Sequence, residues 1–167
     1  STYEQVLVTY TYDSRGRLVS RSDPYILNQE TPVYTSYTYD NYNRLESEAH
    51  PTQGTITWAY TIETGLYRIT ESRPGSITRQ SYTDASGRLV KTSDAGGTVV
   101  TEYNNQLQVG RILVGGVELS RFEYYANGLR SKHIEVNSGT TDYNYNAFGE
   151  LTYQRDARNQ VETRVYD

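Results

Sequence analysis

The stretch Tyr10-Thr11-Tyr12-Asp13-Ser14-Arg15-Gly16-Arg17-Leu18 decides the fold, because its pattern returns along the 167-residue chain. The better copies are carried by Tyr10, Tyr12, Asp13, Gly16, Arg17 and Leu18; Tyr37, Tyr39, Asp40, Asn43, Arg44 and Leu45; Asp84, Gly87, Arg88 and Leu89; and Tyr143, Tyr145, Asn146, Gly149 and Leu151. Degenerate copies place the position of Asp13 at residues 63, 104 and 125, and an eighth copy begins at Tyr166. The steps between copies are 27, 23, 21, 20, 21, 21 and 21 residues. A period near 21 is short for most helical repeats and suits two strands with two turns.

The spacing from Asp13 to Gly16 predicts a type I turn, with Asp at the first position and Gly at the fourth. The carboxylate can accept from a backbone N–H two residues on, and Gly16 can take a positive φ and close the turn with a bulge. Asn43 and Asn146 replace Gly and Asp in two of the copies. Such a turn tolerates both exchanges, so each copy is predicted to be the tip of a β-hairpin.

The residues on either side of this turn predict strands. Val6, Val8, Tyr10 and Tyr12 alternate with the residues between them and are expected to share one face of a strand. A second turn, rich in Gly, Pro and Asn, follows in each unit, for example at residues 73–75. We therefore predict an all-β fold of tandem β-hairpins forming a curved, spiralling antiparallel sheet. Residues 1–167 are interpreted as one array of about seven repeats, truncated in an eighth, with an excursion around residues 25–33.

Composition excludes several classes of function. The chain has no Cys, which excludes disulfides and thiol chemistry. A net charge of −4 argues against nucleic acid as the main partner, and the short apolar runs argue against membrane insertion by a helix. The 18 Tyr, against 2 Phe, favour strands whose rings pack while the hydroxyls reach a polar surface.

The units at residues 10–18, 37–45, 83–89 and 143–151 resemble the YD repeat, also called the RHS repeat, whose core reads roughly YxYDxxGRL. The resemblance covers nearly the whole chain. It implies a segment of a hollow β-shell, of the kind found in RHS polymorphic toxins, in the B and C subunits of Tc toxins, in wall-associated proteins and in teneurins. In the toxins such a shell encloses a C-terminal effector domain. Because the array stops within an eighth copy and carries no plug region or toxin domain, we expect a wall segment of a larger protein.

Candidate chemistry is sparse. His50 and His133 have no second His or Cys at ligand spacing, so we expect structural roles and no metal site. Turn capping already accounts for Asp13, Asp40 and Asp84, and we find no cofactor motif and no catalytic residue. The sequence is therefore interpreted as that of a protein without enzymatic activity. The repeated arginines that follow the turns could stack on neighbouring tyrosines, pair with turn carboxylates or simply be solvated.

Partners follow from the resemblance and from the aromatic surface. The first hypothesis is a structural segment of a secreted bacterial toxin shell, whose partners are the rest of the shell and the enclosed toxin domain. The alternative is a cell-surface carbohydrate-binding or adhesion module, in which Trp58 is the candidate glycan contact. The localisation predicted is secreted or on the bacterial cell surface. Unpaired edge strands also predict self-association.

Overall fold

The computed structural model describes residues 4–167, which form strands and turns and contain no helix. The chain divides into two compact units, Ser1–Ala85 and Ser86–Asp167. Within the described residues, no helix is long and apolar enough to cross a membrane. The all-β, antiparallel hairpin fold predicted from the repeat is confirmed. That residues 1–167 form one array of about seven repeats stays a prediction.

Within its described residues, 4–85, the first unit contains nine strands. They are β1 (Val6–Leu7), β2 (Tyr10–Tyr12), β3 (Leu18–Ser22), β4 (Tyr25–Ile26), β5 (Tyr34–Tyr39), β6 (Leu45–His50), β7 (Gly54–Glu63), β8 (Leu66–Arg73) and β9 (Ile77–Thr83). Seven of them form an antiparallel sheet in the order β2-β3-β5-β6-β7-β8-β9, so nearly every strand pairs with its neighbours in sequence. The remaining two, β1 and β4, pair with each other.

The second unit contains eight strands in sequential antiparallel order. They are β10 (Leu89–Asp94), β11 (Gly97–Tyr103), β12 (Val109–Val114), β13 (Val117–Tyr124), β14 (Arg130–Glu135), β15 (Gly139–Tyr145), β16 (Leu151–Arg155) and β17 (Val161–Thr163). Successive hairpins therefore add side by side, as the repeat predicts.

Residues 6–12 do not form the single alternating strand predicted from their sequence. Val6 pairs with Ile26 in β1–β4, whereas Tyr10 pairs with Arg21 in β2–β3. The chain changes partner between these strands, where Thr9 receives a hydrogen bond from the Ser22 amide. The cause is the 27-residue interval between the first two copies of the motif. The additional residues of this interval form β4, which pairs with β1 at the start of the chain.

The two faces of each sheet differ in burial. On β5, Thr35, Tyr37 and Tyr39 are buried or half-buried, and on β13 the same holds for Phe122 and Tyr124. The residues between them point to the other face and are mostly exposed. We call the face that carries these rings the aromatic face. In the part of the chain that the structure describes, Tyr82 is the only buried aromatic or aliphatic side chain, at 7% exposure, so most packing lies between adjacent strands of one layer.

Candidate functional site

The tips of the hairpins carry the repeated motif, and Asp13 shows how it is built. The Gly16 N–H donates to the Asp13 carbonyl at 3.0 Å, and the Asp13 N–H donates to the Arg17 carbonyl at 2.9 Å. The Asp13 carboxylate accepts from the amides of Arg15 and Arg17 at 2.8 and 3.0 Å. Gly16 has a φ of 77°, which places it in the left-handed region. This is the type I turn with a bulge that the sequence predicts.

The same turn forms in five further copies, with altered side chains. Its fourth position has a positive φ at Asn43, Gly87, Leu107, Gly128 and Gly149. The side chains of the first position at residues 40, 104 and 146 accept backbone amides as Asp13 does.

Glu63 is different. The turn there has two central residues, Thr64 and Gly65, both with positive φ, as in a type I′ turn, and Glu63 pairs with Leu66. The third copy is therefore a hairpin of another turn type, in which the acidic side chain does not cap the turn.

In five of these hairpins the return strand contains a second bulge. Thr11 pairs with Ser20 and Tyr12 pairs with Leu18, which leaves Val19 as an extra residue. The same register shift lies opposite the tyrosine at residues 39, 103, 124 and 145. A bulge interrupts the hydrogen-bond ladder and increases the local twist.

The turn arginines both pair and stack, so two of the roles left open by the sequence are combined. Arg17 Nε lies 2.7 Å from Asp13 Oδ2, and its guanidinium stands over the ring of Tyr39, 4.6 Å from the centroid. Arg44 repeats this, with an ion pair to its own turn Asp40 at 2.6 Å and a ring contact to Tyr60 at 4.2 Å. Each ring belongs to the following hairpin, so the arginine joins its own turn to the next repeat.

The tyrosine that faces the preceding turn also donates a hydrogen bond across the hairpins, including Tyr124 and Tyr166, whose preceding turns carry Gln108 and Glu150 in place of the arginine. Its hydroxyl binds the backbone carbonyl of the residue that follows the preceding turn, at 2.7 to 3.0 Å. The five pairs are Tyr39 with Leu18, Tyr60 with Leu45, Tyr103 with Leu89, Tyr124 with Val109 and Tyr166 with Leu151. We call this contact the tyrosine lock. The sequence signal for it is the excess of Tyr over Phe, but the acceptor cannot be identified from the sequence, because it lies in another repeat.

Tyr145 departs from this pattern. Among residues 4–167, its hydroxyl has no carbonyl partner of this kind, and its ring meets Tyr125 edge-on with 6.4 Å between the centroids. Tyr125 stands where the other copies have an acid or amide, and its hydroxyl donates to the Tyr143 carbonyl at 2.9 Å and to Asn144 Oδ1 at 2.7 Å.

Asn43 does more than provide a left-handed turn residue. Its Oδ1 accepts from Arg15 at 3.0 Å and from Arg17 at 2.9 Å, so one amide binds two guanidinium groups of the preceding turn. In the second unit, neutral side chains make a comparable link, since Gln108 Nε2 donates to the Gly128 carbonyl at 2.7 Å.

These contacts shift the titration of the groups involved. The Arg17 amide, together with its guanidinium, lowers the pKa of Asp13 against an opposing effect of desolvation. Desolvation also acts to raise the pKa of Asp40, but the amide and guanidinium of Arg44 outweigh it and the pKa is lowered. Burial raises the pKa of Tyr60, and the nearby Tyr67 adds to the effect.

The remaining candidates make structural contacts. His50 Nε2 lies 3.0 Å from Asp23 Oδ2, while its Nδ1 accepts from the Thr52 amide at 3.2 Å. The His133 ring stacks on Phe122 with centroids 4.6 Å apart. Trp58 is half-buried on β7, opposite Glu71, and its role as a glycan contact stays a prediction.

The rest of the predicted motif lies where the repeat places it. Arg88 stands over Tyr103 at 4.8 Å, and the Leu89 carbonyl accepts the lock of that tyrosine. Within the described residues, no group of three or more His, Asp or Glu is arranged to hold a metal ion.

Asp156 heads a turn that the sequence reasoning missed. Its Oδ1 accepts from the amides of Arg158 and Gln160, at 2.9 and 2.8 Å, and Asn159 has a φ of 62°. The signal was present, since the spacing from Asp156 to Asn159 matches that from Asp40 to Asn43. This turn lies halfway between two copies of the motif, where the second, Gly- and Pro-rich turn of the unit was expected.

These features define a class: an antiparallel β-hairpin repeat protein whose units are joined by turn arginines and tyrosine locks. Solved structures with the same fold are Tc toxin chains. The crystal structures of TcdB2-TccC3-TEV and TcdB2-TccC3-Cdc42 match with TM-scores of 0.71, at 13% and 14% identity, over 95% of this chain and 10% of those chains. The Photorhabdus luminescens Tc holotoxin pore matches with a TM-score of 0.67 at 16% identity, over 97% of this chain and 10% of that chain.

This likeness confirms the resemblance to YD-repeat shells at the level of fold. The chain spans about a tenth of the length of the toxin chains that it matches. No protein-family model matches the sequence, and a search of curated proteins gives no match.

Proposed function

We propose that the chain is a wall segment of a larger, secreted RHS/YD-repeat shell that encloses a C-terminal toxin domain. The observation that carries the proposal is the match of 95% of the chain to about a tenth of a Tc toxin chain. A segment of that size would contribute a strip of wall, and the enclosed space would require the rest of the shell. In this proposal the segment has no catalysis of its own, since its motif carboxylates serve as turn caps.

The contacts between hairpins support a role in a wall. A sheet of one layer has no second layer on which to bury its face, so its strength depends on the joints between adjacent units. The joints at Tyr39, Tyr60 and Tyr103 combine an arginine over a ring with a hydroxyl on a backbone carbonyl, and those at Tyr124 and Tyr166 keep the hydroxyl contact. Both contacts lie between side chains and backbone of neighbouring repeats, and a further repeat can add in the same way.

The edge strand β2 supports the proposal that a further repeat of the shell would join at this strand. Tyr12 occupies the lock position of the first copy and is 60% exposed, whereas its equivalents Tyr39 and Tyr60 are half-buried. It lacks a preceding return strand among the described residues. The matching partner is a strand that begins with Arg-Leu, whose arginine would cover the Tyr12 ring.

The test uses the natural protein that carries this segment. Limited proteolysis should leave the C-terminal domain intact at protease levels that digest the same domain expressed alone. Replacing Tyr39, Tyr60 and Tyr124 together by Ala should open the wall and make the domain sensitive, while Tyr42→Ala at an exposed turn tip should not. Equal sensitivity of the domain in the wild-type parent and in isolation would exclude enclosure.

A further inference from the structure

The second unit contains a groove at Tyr145, the one lock position of this unit whose hydroxyl binds no backbone carbonyl of the preceding hairpin. It has a volume of about 510 Å³ and lies against the turn between β13 and β14 and the end of β15. Tyr125 and Tyr145 form two of its walls at right angles, and Asn127, Asn144 and Asn146 lie beside them. In the first two copies the corresponding positions hold an Asp–Arg ion pair. Here they hold Tyr125 and Leu129, so no arginine of this turn covers the next tyrosine.

Two of the side-chain amides that line the groove offer unused donors. Asn127 Oδ1 accepts the Leu129 amide at 3.1 Å, which fixes the orientation of its side-chain amide. Asn144 Oδ1 accepts the Tyr125 hydroxyl at 2.7 Å. Both residues are exposed, and among residues 4–167 their NH₂ groups have no protein partner. Asn146 is already engaged through both its oxygen and its nitrogen.

No charged side chain lines this groove. A neighbouring groove of about 450 Å³ is lined by Glu123, Lys132, Asp142 and Arg155, but these charges are arranged as opposite pairs, with Arg155 2.6 Å from Asp142. The neutral groove therefore has two aromatic walls, two unused amide donors and the Tyr145 hydroxyl. A ligand that fits must be uncharged, must present flat apolar surfaces and must supply acceptors in excess of donors.

We propose that this groove binds a proline-rich peptide segment in the extended polyproline II conformation. Proline has no backbone N–H but keeps its carbonyl, so such a segment supplies acceptors and few donors, which matches the two amides. Its rings pack on aromatic side chains, and its conformation is set before binding, which lowers the entropic cost. A sugar carries donors and acceptors on each hydroxyl, and the groove offers less to match them.

The first test is a titration of the whole chain with an acetylated decaproline peptide. Heteronuclear NMR follows the side-chain NH₂ signals of Asn127 and Asn144, and calorimetry gives the affinity. We expect both signals to shift together and to saturate, while a Gly-Ser peptide of equal length and maltohexaose leave them unchanged. The proposal is overturned if decaproline gives no saturable shifts at concentrations up to roughly 10 mM, about the weak end of measurable affinity. It is also overturned if maltohexaose binds more tightly than decaproline.

Two variants separate recognition from folding. Asn127→Asp and Asn144→Asp keep the oxygen that accepts the intramolecular hydrogen bond and remove the NH₂ donor, so the turn is retained. Each should weaken decaproline binding about fivefold, the effect of losing one hydrogen bond. Gln106→Glu places the same charge change at the matching turn position one repeat earlier and should leave the affinity unchanged. Equal weakening by Gln106→Glu would show that charge alone is responsible and would refute the site.

Discussion

Removing the Tyr60 hydroxyl tests the tyrosine lock directly. Tyr60→Phe deletes the donor to the Leu45 carbonyl, 2.7 Å away, and keeps the ring on which Arg44 stands at 4.2 Å. A net hydrogen bond contributes about 1 kcal/mol, and the carbonyl left behind is only half-buried, so water recovers part of its hydration. We expect the free energy of unfolding to fall by about 1 kcal/mol.

Urea denaturation followed by Trp58 fluorescence measures this change, because Trp58 lies two residues from Tyr60 on β7 and is the only tryptophan. With a slope of about 1–3 kcal/mol per molar urea, the midpoint should fall by roughly 0.3–1 M. Tyr42→Phe is the matched control. Its ring also lies near Arg44, at 5.0 Å, but the side chain is 78% exposed at the turn tip. A midpoint for Tyr60→Phe equal to that of the wild type, or an equal loss in Tyr42→Phe, would refute the role assigned to the hydroxyl.

Three further predictions concern the turns and the surface. Leu107 has a φ of 65° at the position that Gly16 fills in the first copy, so Leu107→Gly should raise the free energy of unfolding by up to about 1 kcal/mol. Gly16→Ala should lower it by about as much, because a Cβ at Gly16 meets no neighbour and adds only backbone strain. Thermal unfolding measures both changes. The pKa of Asp13 is lowered in the folded state, so its stabilising contribution is present above the pKa of the unfolded chain and is lost as pH falls through the folded value. In urea denaturation followed by circular dichroism, wild type should be more stable than Asp13→Asn near neutral pH, and this difference should shrink as pH falls; a difference that does not change with pH would contradict the assignment. If Trp58 contacts glycans, Trp58→Ala should abolish binding across a glycan array while Tyr42→Ala does not, and a wild-type array without signal would remove the glycan hypothesis.

The turns could be predicted from the sequence because their chemistry is local. Asp13 and Gly16 lie three residues apart, and the hydrogen bonds that hold them connect residues of the same loop. The same reasoning should have found the turn at Asp156, which uses the same spacing in a part of the repeat where a simpler turn was expected. Local spacing therefore predicts this element well wherever it is searched for without regard to phase.

Features that depend on another strand could not be predicted in the same way. The break between β1 and β2 arises because Val6 finds a partner at Ile26, twenty residues away, and the alternation of residues 6–12 contains no sign of it. The turn at Thr64 takes the type I′ form because Glu63 and Leu66 pair directly, which depends on the register of β7 with β8. Both outcomes are decided by which strands pair and in which register, whereas the sequence pattern indicates only the tendency of each segment to form a strand.

The position of the tyrosine lock follows from the bulge. In the four hairpins where the register shift and the acceptor are both defined, the carbonyl that receives the hydroxyl belongs to the residue just before the extra one: Leu18, Leu45, Val109 and Leu151. A bulge takes a carbonyl out of the regular ladder, and an unpaired backbone acceptor costs stability unless another donor reaches it. In these four hairpins the hydroxyl of the next hairpin is that donor, a role that Phe could not fill. On β3, β6, β12 and β16 twist and joint thus have one cause, since the bulge that bends the return strand lies next to the carbonyl by which the following repeat is held, whereas β14 has the bulge without the lock.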